Sequence, residues 1–245
     1  MKKILLTLFL IVLTNSYAQV KYERGHYIDL NGNKIEGEVG EIFFELDQKE
    51  FSFKNKSNAT AISLDNVSEI MIGGNVYQKK VFSFDPNAKL DFKKLSKSAN
   101  YDEESKTDFL ERLVYGKYSL YRYVFEGVPT FFYTINDGEL VTLEYKKYLD
   151  DDSKIHENKS YVSQLRNKLP NPRYTTKEEY HKILYNSTDL VFYFSQLNGK
   201  NYVSEKKSAI KFNLFAGYAI HGFDLDFRQN FGTQTYSHFT VMPEV

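Results

Sequence analysis

The feature that most constrains the fold of this chain is an alternation of apolar and polar residues between residues 109 and 148. A repeat of two places alternate side chains on one face of a β-strand. The turn signals Gly127-Val128-Pro129 and Asn136-Asp137-Gly138 separate the repeats, and Asp-Gly favours a hairpin because both residues tolerate positive φ. We therefore predict a three-stranded antiparallel meander. The three apolar runs are Tyr121, Tyr123 and Phe125; Phe131, Tyr133 and Ile135; and Val141, Leu143 and Tyr145.

The aromatic residues of this meander have two interpretations. As core residues, their rings pack inside the sheet; as surface residues, they stack on a peptide or glycan, because Tyr combines a ring with a polar tip. Core packing is the preferred interpretation. The predicted core aromatics are Tyr121, Tyr123, Phe125, Phe131 and Tyr133.

The amino-acid composition excludes several classes of function. The 245 residues include 20 Tyr, 20 Phe and no Trp, a content that favours sheets. Lys plus Arg and Asp plus Glu are 32 each, and the lysines are interspersed with acids, so we predict no nucleic-acid partner, which would need a basic stripe. The chain has no Cys, which excludes disulfides, thiolate metal sites and a cysteine nucleophile.

The first 18 residues are predicted to be a cleaved signal peptide. Lys2 and Lys3 precede an apolar run over residues 4–13, and Ser16-Tyr17-Ala18 supplies small residues at the cleavage site. The apolar run is too short for a transmembrane helix, which needs about 20 residues. We therefore expect export, with Gln19 as the mature N-terminus.

Residues 19–100 are predicted to form an N-terminal β module. Strands are expected over residues 26–30, 34–46, 50–54, 60–64 and 75–84. Asn31-Gly32 and Gly73-Gly74-Asn75 are turn signals, and Asp65-Asn66-Val67-Ser68 also has the composition of a turn. Residues 89–106 are polar and are interpreted as a linker or a peripheral strand.

Residues 101–207 are predicted to hold the meander and a helical cap on one sheet face. Residues 154–199 are expected to be helical: Pro170 ends a first helix, and the Thr176–Glu179 pattern is a capping box that begins a second. A third helix is expected over residues 188–197, although 191–194 could form a strand by propensity. The acidic residues 150–152 lack the ligand spacing and glycine of a calcium loop and are predicted to be solvated.

Residues 208–245 are predicted to begin an outer-membrane β-barrel. Every second residue is apolar over about the length of a membrane-crossing strand, which gives such a strand one uniformly apolar face. The predicted lipid-facing residues are Ile210, Phe212, Leu214, Ala216, Tyr218 and Ile220. A membrane barrel needs about eight strands or more, and at most three fit here. Three interpretations remain: a chain truncated within the barrel, which we favour, a soluble sheet, or a barrel assembled from several chains.

The whole chain resembles a known family. The relevant stretches are the leader ending in Ala-Gln and the segments 27–37, 116–121, 131–133, 185–190 and 211–218. Together they resemble porin-like outer-membrane β-barrel proteins of Bacteroidota that carry an N-terminal periplasmic domain. The resemblance implies a barrel after residue 208, with outer-membrane lipid as its partner, and no catalytic residues.

We predict no catalytic, cofactor-binding or metal-binding residue. Glu178 and His181 form a single Glu-x-x-His, whereas a di-iron site needs two. Asp224 and Asp226 share a strand face, as the carboxylates of a hydrolase do, but also as the polar face of a barrel does. The five histidines lack metal-ligand spacing.

The predicted fold class is therefore α+β: antiparallel meander modules with a small helical segment, followed by the first strands of a barrel-like region. The predicted function is a non-enzymatic cell-envelope protein, periplasmic and then outer-membrane, with a structural, transport or assembly role. The alternative is a soluble periplasmic or secreted module that binds peptide or glycan on Tyr- and Phe-rich sheet faces.

Overall fold

A computed structural model describes residues 20–44, 48–56 and 58–199. The predicted signal peptide at residues 1–18 lies outside the described residues. So do the predicted barrel strands at 208–245, with Ile210, Phe212, Leu214, Ala216, Tyr218, Ile220, Asp224 and Asp226. Within the described part, no helix is long and apolar enough to cross a membrane.

The described residues confirm the predicted α+β class, because short helices accompany a ten-stranded sheet in which all neighbouring strands are antiparallel. The strand order is β10-β9-β8-β7-β6-β5-β1-β2-β3-β4, so one sheet joins the predicted N-terminal module to the meander. Its strands are β1 (Tyr22–Asp29), β2 (Lys34–Gly40), β3 (Glu50–Asn55), β4 (Asn58–Ser63), β5 (Val67–Ile72), β6 (Asn75–Phe84), β7 (Glu104–Val114), β8 (Tyr118–Phe125), β9 (Val128–Ile135) and β10 (Val141–Leu143).

The predicted meander is confirmed as β8, β9 and β10. The β8–β9 turn is made by Glu126 and Gly127, both at positive φ, while Val128 and Pro129 already belong to β9. The predicted turn after β9 is present, but its residues at positive φ are Asn136 and Asp137, at 51° and 53°, one position earlier than the predicted Asp-Gly pair. The third strand is shorter than predicted and ends at Leu143.

Three local predictions were wrong. Val67 and Ser68 are not part of a turn but begin β5, which pairs with both β1 and β6. Residues 104–106, interpreted as part of a linker or a peripheral strand, belong to β7, which lies inside the sheet between β6 and β8. Residues 155–158 are not helical but form β12 (Ile155–Asn158), which pairs with β11 (Lys146–Leu149). Val67 pairs with distant Asp29 on β1, and residues 104–106 pair with β6 across a long connection, so a partner that the local pattern does not show decides both conformations. Strand β12 instead forms a local hairpin with β11.

The three predicted helices are present. They are α1 (Ser160–Lys168), α2 (Lys177–His181) and α3 (Ser187–Leu197). Thr176 and Glu179 form the predicted capping box, in which each side chain accepts a hydrogen bond from the other residue's backbone N–H. Helix α3 covers residues 191–194, so the strand alternative for this stretch was wrong.

The core has three parts. The helical core joins β8–β10 to the three helices, the N-terminal core lies on β2, β3 and β5, and the rolled core lies on the other face of the meander. The helical core includes Leu120, Phe131, Tyr133, Leu143, Leu165, Tyr180 and Phe194. The N-terminal core includes Val39, Phe51, Phe53, Leu64, Val67, Ile70 and Phe109. The rolled core consists of Phe82, Phe84, Leu110, Tyr121, Tyr123 and Phe132.

The rolled core exists because the sheet curls from β6 round to β10. The hydroxyl of Thr142 on β10 donates to the carbonyl of Ser83 on β6 at 2.7 Å, across three intervening strands. The rings of Phe82 and Phe132 meet edge to face, 5.1 Å between centroids. Tyr121, Tyr123, Phe131 and Tyr133 are buried and Phe125 is partly buried, which places these aromatics inside the domain.

Candidate binding cleft

An open cleft of about 410 Å³ lies on the sheet face that carries the N-terminal core. One wall is the connection after β2, with Ile42, Phe43 and Phe44. The floor crosses β6, β7 and β8. The floor residues are Tyr77, Phe109, Glu111, Arg122, Tyr123 and Val124.

The strand register brings the polar floor residues together. Tyr77 on β6 lies opposite Glu111 on β7, and Glu111 lies opposite Arg122 on β8. Opposite residues of antiparallel strands point to the same face with Cβ atoms about 4.5–5.5 Å apart. A phenol, a carboxylate and a guanidinium therefore form one row across the cleft floor.

The wall is aromatic and is held by ring contacts. The ring centroid of Phe44 lies 4.6 Å from that of Tyr77 and 5.4 Å from that of Phe109. Phe43 next to it is 52% exposed. The Gln48 side chain accepts from the Phe43 backbone N–H at 3.1 Å, which fixes the chain where Phe43 faces solvent. A large exposed ring at the mouth of a cleft offers an apolar contact to a ligand.

The charged pair in the cleft floor, Arg122 and Glu111, is partly buried. Arg122 Nη2 donates to Glu111, and Arg122 Nη1 donates to the hydroxyl of Ser187, the first residue of α3, at 3.2 Å. The Arg122 and Glu111 side chains are 29% and 15% exposed. Arg122 Nε is buried and has no acceptor among the described residues. The pair therefore offers a donor and an acceptor group without net charge.

Tyr77 remains neutral at physiological pH. Burial, helped by the Glu111 carboxylate and opposed by Arg122, raises the pKa of Tyr77 to about 12. A neutral phenol next to a carboxylate can donate a hydrogen bond, which the phenolate cannot. Tyr77 therefore adds no charge to the cleft floor at neutral pH.

The structure brings few of the residues singled out from sequence to this cleft. All five predicted core aromatics lie in or against the cores, and Tyr123 alone among them also contributes to the lining of the cleft. Sequence reasoning missed Phe43, Glu111 and Arg122. The sequence did contain one signal for the site: Glu111 and Arg122 are opposite charges within the aromatic alternation of residues 109–148. A charge that is partly buried in a strand needs a partner.

Other polar clusters in the described part have structural roles. Lys146 is fully buried, 2.6 Å from Asp85, and donates to the Asn100 carbonyl at 2.8 Å, so it anchors the long β6–β7 connection. His26 lies 3.5 Å from Glu69 and His156 lies 2.7 Å from Asp150. Over residues 20–199, as far as they are described, no group of three or more His, Asp or Glu could hold a metal ion.

In comparisons with known proteins, no family model, no curated protein and no solved structure matches the chain.

Proposed function

We propose that this chain is an exported, non-enzymatic cell-envelope protein whose described domain binds an extended peptide segment in the cleft between the Phe43 wall and the Arg122 floor. The observation that carries the proposal is the combination of an exposed aromatic wall with a neutral donor–acceptor pair. A volume of about 410 Å³ lies within the range of about 300–1,000 Å³ of small-ligand sites.

A peptide fits the chemistry of the lining better than a glycan. The wall residues Ile42, Phe43 and Phe44 offer apolar contacts suited to a side chain. The Glu111–Arg122 pair offers one acceptor and one donor, which is what a backbone amide requires. Since the pair is uncharged overall, no charged ligand is favoured.

The envelope assignment is supported by the two ends of the sequence. A basic, apolar and small-residue leader precedes the domain, and an alternating stretch of membrane-strand length follows it. In this proposal the domain lies in the periplasm, and residues 208–245 belong to an outer-membrane barrel, as in the porin-like proteins that the sequence resembles. The role is then the capture of an envelope polypeptide during transport or assembly.

Peptide binding can be measured directly because the chain has no Trp. Extended hexapeptides with one Trp and apolar neighbours are titrated with the full chain, and the peptide's fluorescence is followed. We expect saturable binding that Phe43→Ala weakens about tenfold, or about 1.4 kcal/mol. The matched control is Phe92→Ala, since Phe92 is 51% exposed but does not line the cleft.

Three outcomes would count against the proposal. Absence of saturable peptide binding overturns it, and so does equal weakening by Phe43→Ala and Phe92→Ala. Binding of oligosaccharides in place of peptides, lost in Phe43→Ala, would assign the same cleft to glycan.

The envelope location has its own test. N-terminal sequencing of the mature protein is expected to begin at Gln19, and membrane fractionation is expected to place the chain with outer membranes. Release by osmotic shock into the soluble periplasm would remove the barrel from the proposal and favour the soluble binding module.

A further inference from the structure

The two ends of the ten-stranded sheet differ in what covers them. At the β10 end, the Gln164 side chain of α1 donates from Nε2 to the Thr142 carbonyl at 2.8 Å. Its Oε1 accepts from the Glu144 backbone N–H at 2.9 Å. A side-chain amide thus makes the two hydrogen bonds that the N–H and C=O of one residue in an eleventh strand would make.

At the β4 end, no described residue pairs with the outer edge. Strand β4 pairs with β3 on one side and ends the strand order on the other. Its residues from Asn58 to Ala61 are exposed, apart from the side they turn to β3. An uncovered edge presents free N–H and C=O groups to which another strand can add.

The composition of β4 lacks the usual protection of a sheet edge. Its sequence Asn-Ala-Thr-Ala-Ile-Ser contains no charge and no proline. Its register with β3 runs without a bulge from Asn55↔Asn58 to Glu50↔Ser63. Natural edges are commonly shortened, charged, bulged or interrupted by proline. A straight, neutral strand of six residues is therefore suited to pairing.

The alternation of hydrogen bonds between β3 and β4 shows which residues of β4 direct their backbone N–H and C=O groups away from β3. The Leu64 backbone N–H donates to the Lys49 carbonyl at 2.8 Å, which makes this pair a hydrogen-bonded position of the ladder. Such positions alternate along an antiparallel pair, so Thr60 and Ile62 also turn their backbone groups towards β3. Ala59, Ala61 and Ser63 turn theirs outward.

We propose that β4 is a self-association edge that pairs antiparallel with β4 of a second copy, around a two-fold axis at Ala61. The axis places Ala61 opposite Ala61 of the other copy, and Ala59 opposite Ser63, all at outward-pointing positions. On the opposite face, Thr60 meets Ile62.

Charge selects a second copy as the partner. A strand that pairs with itself across a two-fold axis sets identical or near-identical residues against each other, so a charged edge strand would oppose like charges. Strand β4 avoids this because it has no ionisable side chain. Thr60 and Ile62, which oppose each other, are β-branched and pack well across strands. Ala59, Ala61 and Ser63 are small enough to let the two strands approach.

The absence of Cys makes the register testable. Hydrogen-bonded antiparallel neighbours have Cα atoms about 5.5 Å apart, within the disulfide range of about 4.4–6.8 Å. In the full chain, oxidised Ala61→Cys is expected to form a covalent dimer. Ala59→Cys, on the same face and equally exposed, is the matched control: its copies lie four residues, roughly 13 Å, apart. Ala59→Cys mixed with Ser63→Cys is expected to cross-link again.

Sedimentation of the full chain over a range of concentrations tests association without a disulfide. The unmodified chain is expected to dimerise, and Ala61→Lys to weaken dimerisation at least tenfold by placing like charges on the axis. An equimolar mixture of Ala61→Lys and Ala61→Glu is expected to recover it, and less so in high salt. Both side chains point to solvent, so the fold is preserved.

Several results would overturn the proposal. These are a monomer at every concentration, a dimer unaffected by Ala61→Lys, or equal cross-linking of Ala59→Cys and Ala61→Cys. A monomer with slow hydrogen exchange at Ala59 and Ala61 would show that a strand of the same chain covers the edge.

Discussion

The two halves of the sheet are buried to different extents. In β9, the residues from Thr130 to Thr134 are buried in succession, because the helical core covers one face and the rolled core the other. In β3, buried Phe51 and Phe53 alternate with more exposed residues, because the N-terminal core covers one face alone. A strand buried on both faces can hold the domain together, while a strand with a free face or edge can meet a partner.

This comparison assigns different tasks to the two halves. The meander half, β6–β10 with the helices, holds most of the buried rings. The N-terminal half, β1–β5, contributes the exposed wall of the cleft and the edge of β4, with which no other described strand pairs. The predictions below test whether stability really depends mainly on the meander half.

The largest effect is expected at alkaline pH. Burial raises the pKa of Tyr77, Tyr101 and Tyr161 to about 12. Their ordinary value is about 10, so above pH 10 the unfolded chain loses protons that the folded chain retains, and stability falls. Folding free energy from these groups is fully present below about pH 10 and is lost as the pH rises towards 12.

The measurement is phenolate absorbance followed together with circular dichroism. We expect buried tyrosines to ionise only as the chain unfolds. Amides of the meander half should lose protection first, because every tyrosine with a raised pKa among the described residues lies in β6–β10, in the helices or in the connections between them. Ionisation of all tyrosines near pH 10 with structure intact would contradict this.

Tyr123→Ala is expected to cost about 3–5 kcal/mol of the free energy of unfolding. Tyr123 is 6% exposed and its ring packs on Phe82 and Phe84 in the rolled core, at 4.8 and 5.4 Å between centroids. Denaturant unfolding measures the loss. Tyr115→Ala, at a ring 59% exposed, should stay within about 0.5 kcal/mol. A neutral Tyr123→Ala with lost peptide binding would restore the surface interpretation of the meander.

Tyr185→Phe is expected to cost about 1–3 kcal/mol. The Tyr185 hydroxyl accepts from the Phe131 N–H at 3.1 Å and donates to the Leu143 carbonyl at 2.7 Å, so it bridges β9 and β10. Loss of the hydroxyl leaves both backbone groups without this partner. Tyr145→Phe, whose hydroxyl bonds an exposed Glu157, is the control and should cost about 0.5–1 kcal/mol. Equal costs would contradict the bridging role.

Gln164→Ala is expected to have the smallest effect, about 1–2 kcal/mol, because it uncovers the β10 edge. Hydrogen exchange of the Glu144 amide should accelerate at the same time. In Gln164→Glu the carboxylate still accepts from Glu144 but cannot donate to Thr142, so its cost should lie between those of the wild type and Gln164→Ala. Unchanged hydrogen exchange at Glu144 would show that Gln164 does not cover the β10 edge.

The predictions from sequence succeeded where a local signal was sufficient. Three such features depend only on residues that are close together in sequence. They are the Asn-Asp-Gly turn, the capping box at Thr176 and the alternation in β8 and β9. The failures at Val67 and at residues 155–158 have different causes: Val67 lies in a strand because of its distant partner Asp29, whereas residues 155–158 form a local hairpin with β11 that the sequence pattern did not reveal. Exposed β4 was placed near its true position, but nothing in its sequence showed that it ends the sheet.

The sequence by itself determined the period of the strands, the turns and the helix starts, because backbone preference and side-chain alternation are local properties. Tertiary structure decided which faces are buried and which strands end the described sheet, since these depend on how the strands pair and how the sheet rolls. It also decided which residues line the cleft, because Phe43, Glu111 and Arg122 are separated in sequence. Strand register brings Glu111 and Arg122 opposite each other. Register is a property of paired strands, and no single strand encodes it.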